Sequence, residues 1–260
     1  MGNKDVTKIT AKIWRKTIDK LEHKLDAACL RRDSYLSRVL DIELPRLDRE
    51  ICLSNSQDAN RFVASRLESL GERKLVTFSL DPEVAERLNV ICGRKLIVRD
   101  AFLNRLLLLL AASPKLINSL FFKGLGMDLH TFILDGQRTE SPAETRTSIV
   151  WDDLGNHSAI YPLEPNIDPF WAIRLGIEES QMAELFDFTD PASGTVFKAL
   201  EVDGDGNFML PVGIYSSLFH DKQFKDLDLY GLNCYVPDWQ VPGHDAERRN
   251  HKILDELFAE

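Results

Sequence analysis

Residues 30–40 read LRRDSYLSRVL and residues 97–107 read IVRDAFLNRLL, so that Arg, Asp, Leu, Arg and Leu recur at an offset of 67 positions. The same offset, without a gap, lays Ile9, Thr10, Ala11, Lys12 and Ile13 on Val76, Thr77, Phe78, Ser79 and Leu80, and Leu21 on Leu88. One supersecondary unit therefore occurs twice. Any fold for this chain has to give the two copies a reason to coexist.

Each copy opens with period-two alternation, which predicts a half-buried strand. Ile9, Ala11, Ile13 and Val76, Phe78, Leu80 form the apolar faces, while Lys8, Thr10, Lys12 and Leu75, Thr77, Ser79 point the other way. A helix follows each strand. In the second copy Asp81 is placed to cap it, Pro82 suits its first position and Gly93 supplies a stop. The first copy has Trp14, Arg15 and Lys16 there, without an acidic cap. A second helix carries Tyr35, Leu36, Val39, Leu40 in one copy and Phe102, Leu103, Leu106, Leu107 in the other, a buried stripe at helical spacing.

Pro45 is expected to end the first copy. The stretch SQDANRFVASRLESLGERK, 56–74, then predicts a bridging helix with Phe62, Val63, Leu67 and Leu70 on its apolar side. This divides residues 1–115 into copy one at about 7–45, a bridge at 46–72 and copy two at about 73–113. Where copy one has Asp41 and Glu43, copy two has Leu108 and Leu110. A helix apolar all round needs cover on a second side, so these two leucines are expected at an interdomain or oligomer contact.

A strand, helix, helix unit cannot stand alone, because its single strand leaves backbone N–H and C=O groups unpaired. Two such strands can pair antiparallel. In this the chain resembles the ribbon-helix-helix family of DNA-binding proteins, the group of the Arc and MetJ repressors and of CopG-like proteins and antitoxins. Two chains normally supply one strand each there, and the ribbon enters the DNA major groove. With both halves in one chain, the resemblance is closest to tandem, single-chain members such as the conjugation protein TraY. It covers roughly residues 7–113.

The resemblance implies base contacts from Lys8, Thr10, Lys12, Leu75, Thr77 and Ser79. Lys can donate to guanine, hydroxyls can serve either kind of base, and Leu75 can meet a thymine methyl. The alternative is an exposed face that carries Lys and Thr for solubility, with Leu75 packed under a neighbour. The family also grips phosphates at the start of its second helix, which falls near Arg31 and Val98 here, where many members have Ser or Thr. Arg31, Arg32 and Arg99 are the candidate phosphate contacts. The repeated Arg and Asp could equally form an intrahelical or cross-copy salt bridge, and for Arg38 and Arg105 a salt bridge is the expectation.

Charge separates the two parts of the chain. Up to Lys115 there are 22 Lys and Arg against 16 Asp and Glu, a balance of +6; the remainder has 10 against 25, a balance of −15. A basic part joined to an acidic part hints at nucleic-acid contact by one of them. Residues 116–260 are expected to form an acidic mixed α+β domain that binds a protein partner, a ligand or another copy. TSIVWDDL, HSAIYPL, TVFKALEV, NFMLPVGIY and LYGLNCYV are strand-like there, whereas IDPFWAIRLGIEESQMAELFDF and DAERRNHKILDELFAE are helix-like.

Other chemistry finds little purchase. DGDGN at 203–207 starts like a calcium loop, but Phe208 and Ile214 stand where Gly and Glu are required, so a tight turn is expected instead. The histidines show no ligand spacing, and no Walker, GxGxxG or GxSxG element occurs. No metal, cofactor or catalytic residue is nominated. The four cysteines lie far apart, MGNKDVTKIT lacks a signal peptide's apolar core, and the longest apolar run is too short for a bilayer, so a cytoplasmic, soluble chain is expected.

These readings predict an α+β chain whose N-terminal part is a tandem ribbon-helix-helix pseudo-dimer. They imply a sequence-specific protein that binds double-stranded DNA as a transcriptional repressor or autoregulator. A relaxosome or partition accessory protein and an antitoxin are the nearest alternatives. A protein whose N-terminal module only docks, with activity in the acidic region, is the alternative of another class.

Overall fold

The computed structural model describes residues 5–122, 150–151, 157–159, 168–171, 173–174, 177, 213–219 and 228–242. The chain is α+β, mostly helical around a two-stranded antiparallel sheet. Its elements run β1 (Thr7–Trp14), α1 (Arg15–Ala27), α2 (Arg32–Glu50), α3 (Gln57–Glu68), β2 (Arg73–Leu80), α4 (Pro82–Arg94) and α5 (Arg99–Ala111). Strand, helix and helix thus occur twice, with α3 between.

The ladder runs from Thr7 opposite Leu80 to Trp14 opposite Arg73, and places Thr10 opposite Thr77. Thr77 is also Thr10 displaced by the repeat. The centre of the ladder is therefore the point where a residue meets its own copy, which is what twofold pairing of two equivalent strands requires. Below the ribbon, Ile9, Ala11, Ile13, Val76, Phe78 and Leu80 are buried as the alternation predicts, on a core filled by α1, α2, α4 and α5. The bridge also follows expectation: Ser56 caps α3 by accepting the Ala59 N–H at 3.0 Å, and Val63, Leu67 and Leu70 are buried.

Two expected helix ends move. Gly93 does not stop α4, which continues to Arg94. The left-handed residue that ends it is Leu96 (φ 51°), matched in the first copy by Cys29 (φ 56°). Beyond each, the N–H of Ile97 donates to Cys92 O and that of Leu30 to Leu25 O, at 2.9 and 2.8 Å, so both ends are Schellman turns. The repeat holds even at this strained position. Pro45, in turn, lies inside α2, which runs on to Glu50. Its ring is on the exposed face, where the carbonyl it leaves without a donor can meet water, and the burial of Leu47 and Ile51 beyond it keeps the helix going.

The core does not stop at residue 115. Phe170, Ile173, Ile177, Ile214, Tyr215, Phe219, Leu229, Leu232, Cys234 and Val236 are buried in the same cluster as the first five helices. Helical residues at Trp171, Ile173, Arg174 and Ile177 agree with the predicted helix, and β3 (Val150–Trp151) pairs with β4 (His157–Ala159) where two strands were expected. The described parts of NFMLPVGIY and LYGLNCYV are not strands: residues 214–216 form a turn, and Tyr230–Leu232 is a single 3-10 turn. Their backbone groups are taken by side chains from the helices, as set out below, and have no need of a sheet. TVFKALEV, DGDGN and DAERRNHKILDELFAE lie outside the described residues. Among the described residues no helix is long and apolar enough to cross a membrane.

Candidate nucleic-acid interface

The solvent face of the ribbon is built from three cross-strand pairs, Lys8 with Ser79, Thr10 with Thr77 and Lys12 with Leu75. Five of these side chains are exposed and Ser79 is half-buried. The two threonine hydroxyls meet at 3.2 Å on the central pair. Leu75 is 69 % exposed, so the alternative in which a neighbour covers it does not hold. The face therefore presents ammonium donors, hydroxyls that serve as donor or acceptor, and an uncovered apolar group.

The repeated Arg-Asp stretch is a clasp that binds each strand to the other copy. Asp33 accepts the N–H of Ser79 at 3.0 Å and Asp100 that of Lys12 at 2.9 Å. Ser37 accepts the N–H of Asp81 at 3.0 Å, and Asn104 that of Trp14 at 2.7 Å. Arg32 donates to the carbonyl of Thr77 at 2.9 Å and Arg99 to that of Thr10 at 2.8 Å. Every one of these bonds maps onto its partner under the 67-residue shift. A two-stranded ribbon has two open edges, each a row of unpaired N–H and C=O groups that invites further strands. Here side chains at the start of α2 and α5 occupy those edges, so the ribbon stays two-stranded.

This assigns the candidate cations differently from one another. Arg32 is held by Glu22 at 2.6 Å, Asp33 at 2.9 Å and the strand, and lies over the Phe78 ring at 5.2 Å. Arg99 repeats the arrangement with Asn89 at 3.4 Å and Asp100 at 3.6 Å. Both are committed to the clasp. Arg31 and Val98 are the N-cap residues of α2 and α5, where the repeat placed them. Arg31 is exposed and makes no ion pair or side-chain hydrogen bond among the described residues. At the far end of the ribbon Glu68 of α3 holds Lys12 at 3.3 Å and Arg73 at 2.6 Å. These two donors hold its carboxyl down at about 2 although it is exposed.

Leu108 and Leu110 are buried, as is every side chain of α5 from Ala101 to Ala111. The residue in that helix that binds the C-terminal segments, however, is Arg105, for which a salt bridge was expected. It is fully buried and stacks on Phe219, 3.7 Å from the ring centre. Its guanidinium donates to the carbonyls of Ile214 and Ser217 at 2.8 Å, of Leu232 at 3.4 Å, and to Asn233 Oδ1 at 3.3 Å. Burial pushes its pKa down, and the cage of oxygens meets the charge with dipoles.

Asp41 is exposed, whereas Glu43, the counterpart of Leu110, is buried as well. It is 0 % exposed, bonded to Tyr215 Oη at 2.5 Å, Arg46 at 3.0 Å and Arg174. Glu50 accepts the backbone N–H groups of Tyr215 and Ser216, and Asn55 bridges Cys234 O and Val236 N at 2.8 and 3.0 Å. Both copies, not the second alone, are covered by the C-terminal region. A lone Arg before five consecutive leucines was the available signal for Arg105; for Glu43, Glu50 and Asn55 the local sequence carried none.

Comparison with protein-family models, curated proteins and solved structures finds no match to this chain.

Proposed function

We propose that residues 7–113 act as a single-chain ribbon-helix-helix pseudo-dimer that binds double-stranded DNA sequence-specifically, with the β1–β2 ribbon in the major groove. The role that fits is a repressor or autoregulator. The observation that carries the reading is the ribbon's exposed face. A two-stranded ribbon is of the right width for the major groove, and this one keeps donors, hydroxyls and an uncovered Leu75 on its outer side while both edges are closed by the clasp. A sheet that can neither grow sideways nor hide Leu75 has a surface left for a partner. The site it reads is asymmetric, since Lys8 and Lys12 lie on one strand and Leu75 and Ser79 at the equivalent places on the other.

The test is selection from random duplexes by gel shift with the full chain. Enrichment of a motif with two unlike half-elements is expected, and Thr10→Ala should relax preference within it at a cost of about 1–3 kcal/mol. Failure to enrich any motif would favour the reading in which the N-terminal module only docks.

A further inference from the structure

The two ends of the ribbon are unlike, although the clasp beneath them is not. At the end where Lys8 pairs with Ser79, the start of α2 presents exposed Arg31, Ser34 and Arg38 around a cavity of about 370 Å3. Lys8, Arg31 and Arg38 have no ion pair or side-chain hydrogen bond among the described residues. Tyr35 lines the same cavity; it is 3 % exposed and its hydroxyl has no hydrogen-bond partner among the described residues, where Phe102 stands in the second copy. An unsatisfied buried hydroxyl is costly unless something reaches it. Asp81 is the acid on this cavity's wall.

At the other end the equivalent positions are Val98, half-buried, Ala101, buried, and Arg105, caged in the core. Lys12 and Arg73 share the Glu68 carboxylate there. Just beyond them Arg15 pairs with Glu72 at 3.2 Å and Lys74 with Asp19 at 3.8 Å, which leaves Lys16 as an exposed cation without an ion pair among the described residues.

We propose that the protein grips DNA directionally: Arg31 and Arg38 hold the phosphates flanking one half-element, while at the opposite flank Glu68 ties up Arg73 and restrains Lys12. This rests on the DNA-binding reading and adds polarity to it. A bound duplex is held beyond the motif on one side, so the two orientations of the protein on a site are inequivalent.

The experiment uses the full chain and the duplex enriched from random sequence. Hydroxyl-radical footprinting should show protection reaching past the motif on one flank, and Arg31→Ala with Arg38→Ala should erase that extension. The same double variant should flatten the plot of log affinity against log salt by about 1.8, or 0.9 for each phosphate no longer neutralised. Val98→Ala should leave the slope unchanged. Glu68→Gln should bind more tightly and steepen it, because two cations are released. Both arginines are exposed, so an unchanged circular dichroism spectrum checks that the fold survives. A footprint symmetric about the motif centre, or an unaltered slope in the double variant, overturns the proposal while leaving DNA binding intact. No retention of any duplex by the unaltered chain overturns the DNA-binding reading itself.

Discussion

Replacing Arg105 by Met tests whether the C-terminal segments are part of the same folded unit as the repeats. Met keeps the length of the side chain and loses every donor. Two bonds at 2.8 Å, to Ile214 O and Ser217 O, and two longer ones, to Leu232 O and Asn233 Oδ1, disappear together. Hydrogen bonds to a charged group are worth about 1.5–3 kcal/mol each net, so the two short ones alone set a scale of about 3–6 kcal/mol. Removing the cation also removes its desolvation penalty, which pulls the other way. The carbonyls left behind decide the sign, since they stay buried with no donor. The expected loss is about 3–5 kcal/mol, the range for deleting one partner of a buried charged set. Urea unfolding followed by tryptophan fluorescence measures it, and proteolysis should first attack residues 213–242. Arg38→Met, at the same place in the first copy and exposed, is the internal control and should stay within about 0.5 kcal/mol. If the two variants lose equally little, the cage around Arg105 does not hold the C-terminal segments and the shared core is wrong.

The clasp makes a paired prediction: Asp33→Ala and Asp100→Ala should each cost about 1.5–3 kcal/mol and should speed amide exchange at Ser79 and Lys12 respectively, each leaving the other's target protected. Unchanged exchange at those amides would disprove the clasp. Gly231→Ala should destabilise by about 1–3 kcal/mol, because its Cβ would fall 2.4 Å from the Leu67 backbone nitrogen; a Tm equal to that of the parent would show that α3 is not so closely packed there. The fragment 1–115 keeps all the clasp residues yet uncovers Arg105, Glu43 and Asn55, so it should show a lower urea midpoint than the full chain and exposed apolar surface by dye binding; equal midpoints would restore the expectation of an independent N-terminal domain. Glu68 has a folded pKa held down at about 2, against an ordinary 4.5. A lowered carboxylate contributes stability above its unfolded pKa and loses it as pH falls through the folded value, so its interactions with Arg73 and Lys12 should weaken between about pH 4.5 and 2. A carboxyl NMR titration with a midpoint near 4.5 would contradict the two ion pairs.

Much of the N-terminal fold was legible because its determinants are periodic and repeated. Alternation at Ile9 to Ile13 and Val76 to Leu80 marked which faces are buried; the register was not predicted, although the observed one agrees with the 67-residue offset, since two equivalent antiparallel strands meet at equivalent residues. The clasp was half legible: Arg32, Asp33, Arg99 and Asp100 stood out as repeated, but whether they faced phosphate, each other or a strand depends on how the copies are wound together. Pro45 and Gly93 misled for a different reason. Each is a local breaker judged by local propensity, and in each case tertiary burial or a Schellman turn farther along decided where the helix ended. The C-terminal contacts were not legible because Asn55, Glu50 and Glu43 find partners more than 100 positions away, among segments with no periodicity of their own.

The pattern of agreement and divergence between the copies explains why one chain would carry both. In a dimer of identical chains every residue must serve both halves, so an Arg caged by the C-terminal segments would be imposed on both halves alike. Fusion removes that constraint. The clasp positions, Arg32 with Arg99 and Asp33 with Asp100, stay alike because both strand edges must be closed. Positions facing away from the clasp part company: Arg38 stays exposed while Arg105 turns into the core, and Arg31 is matched by Val98, Tyr35 by Phe102 and Asp41 by Leu108. One copy thus keeps exposed cations at the start of its second helix and the other turns the equivalent positions inward, although the C-terminal region covers parts of both. Exchanging the identities at a diverged pair tests this division. Val98→Arg adds a cation at the start of α5 without touching the clasp; because Val98 is half-buried against the core it should cost about 1 kcal/mol of stability and, on the DNA reading, extend the footprint onto the opposite flank. Arg31→Val should shorten the footprint on the flank already held. If the exchange alters neither flank, the divergence of the two copies has nothing to do with how they meet a duplex.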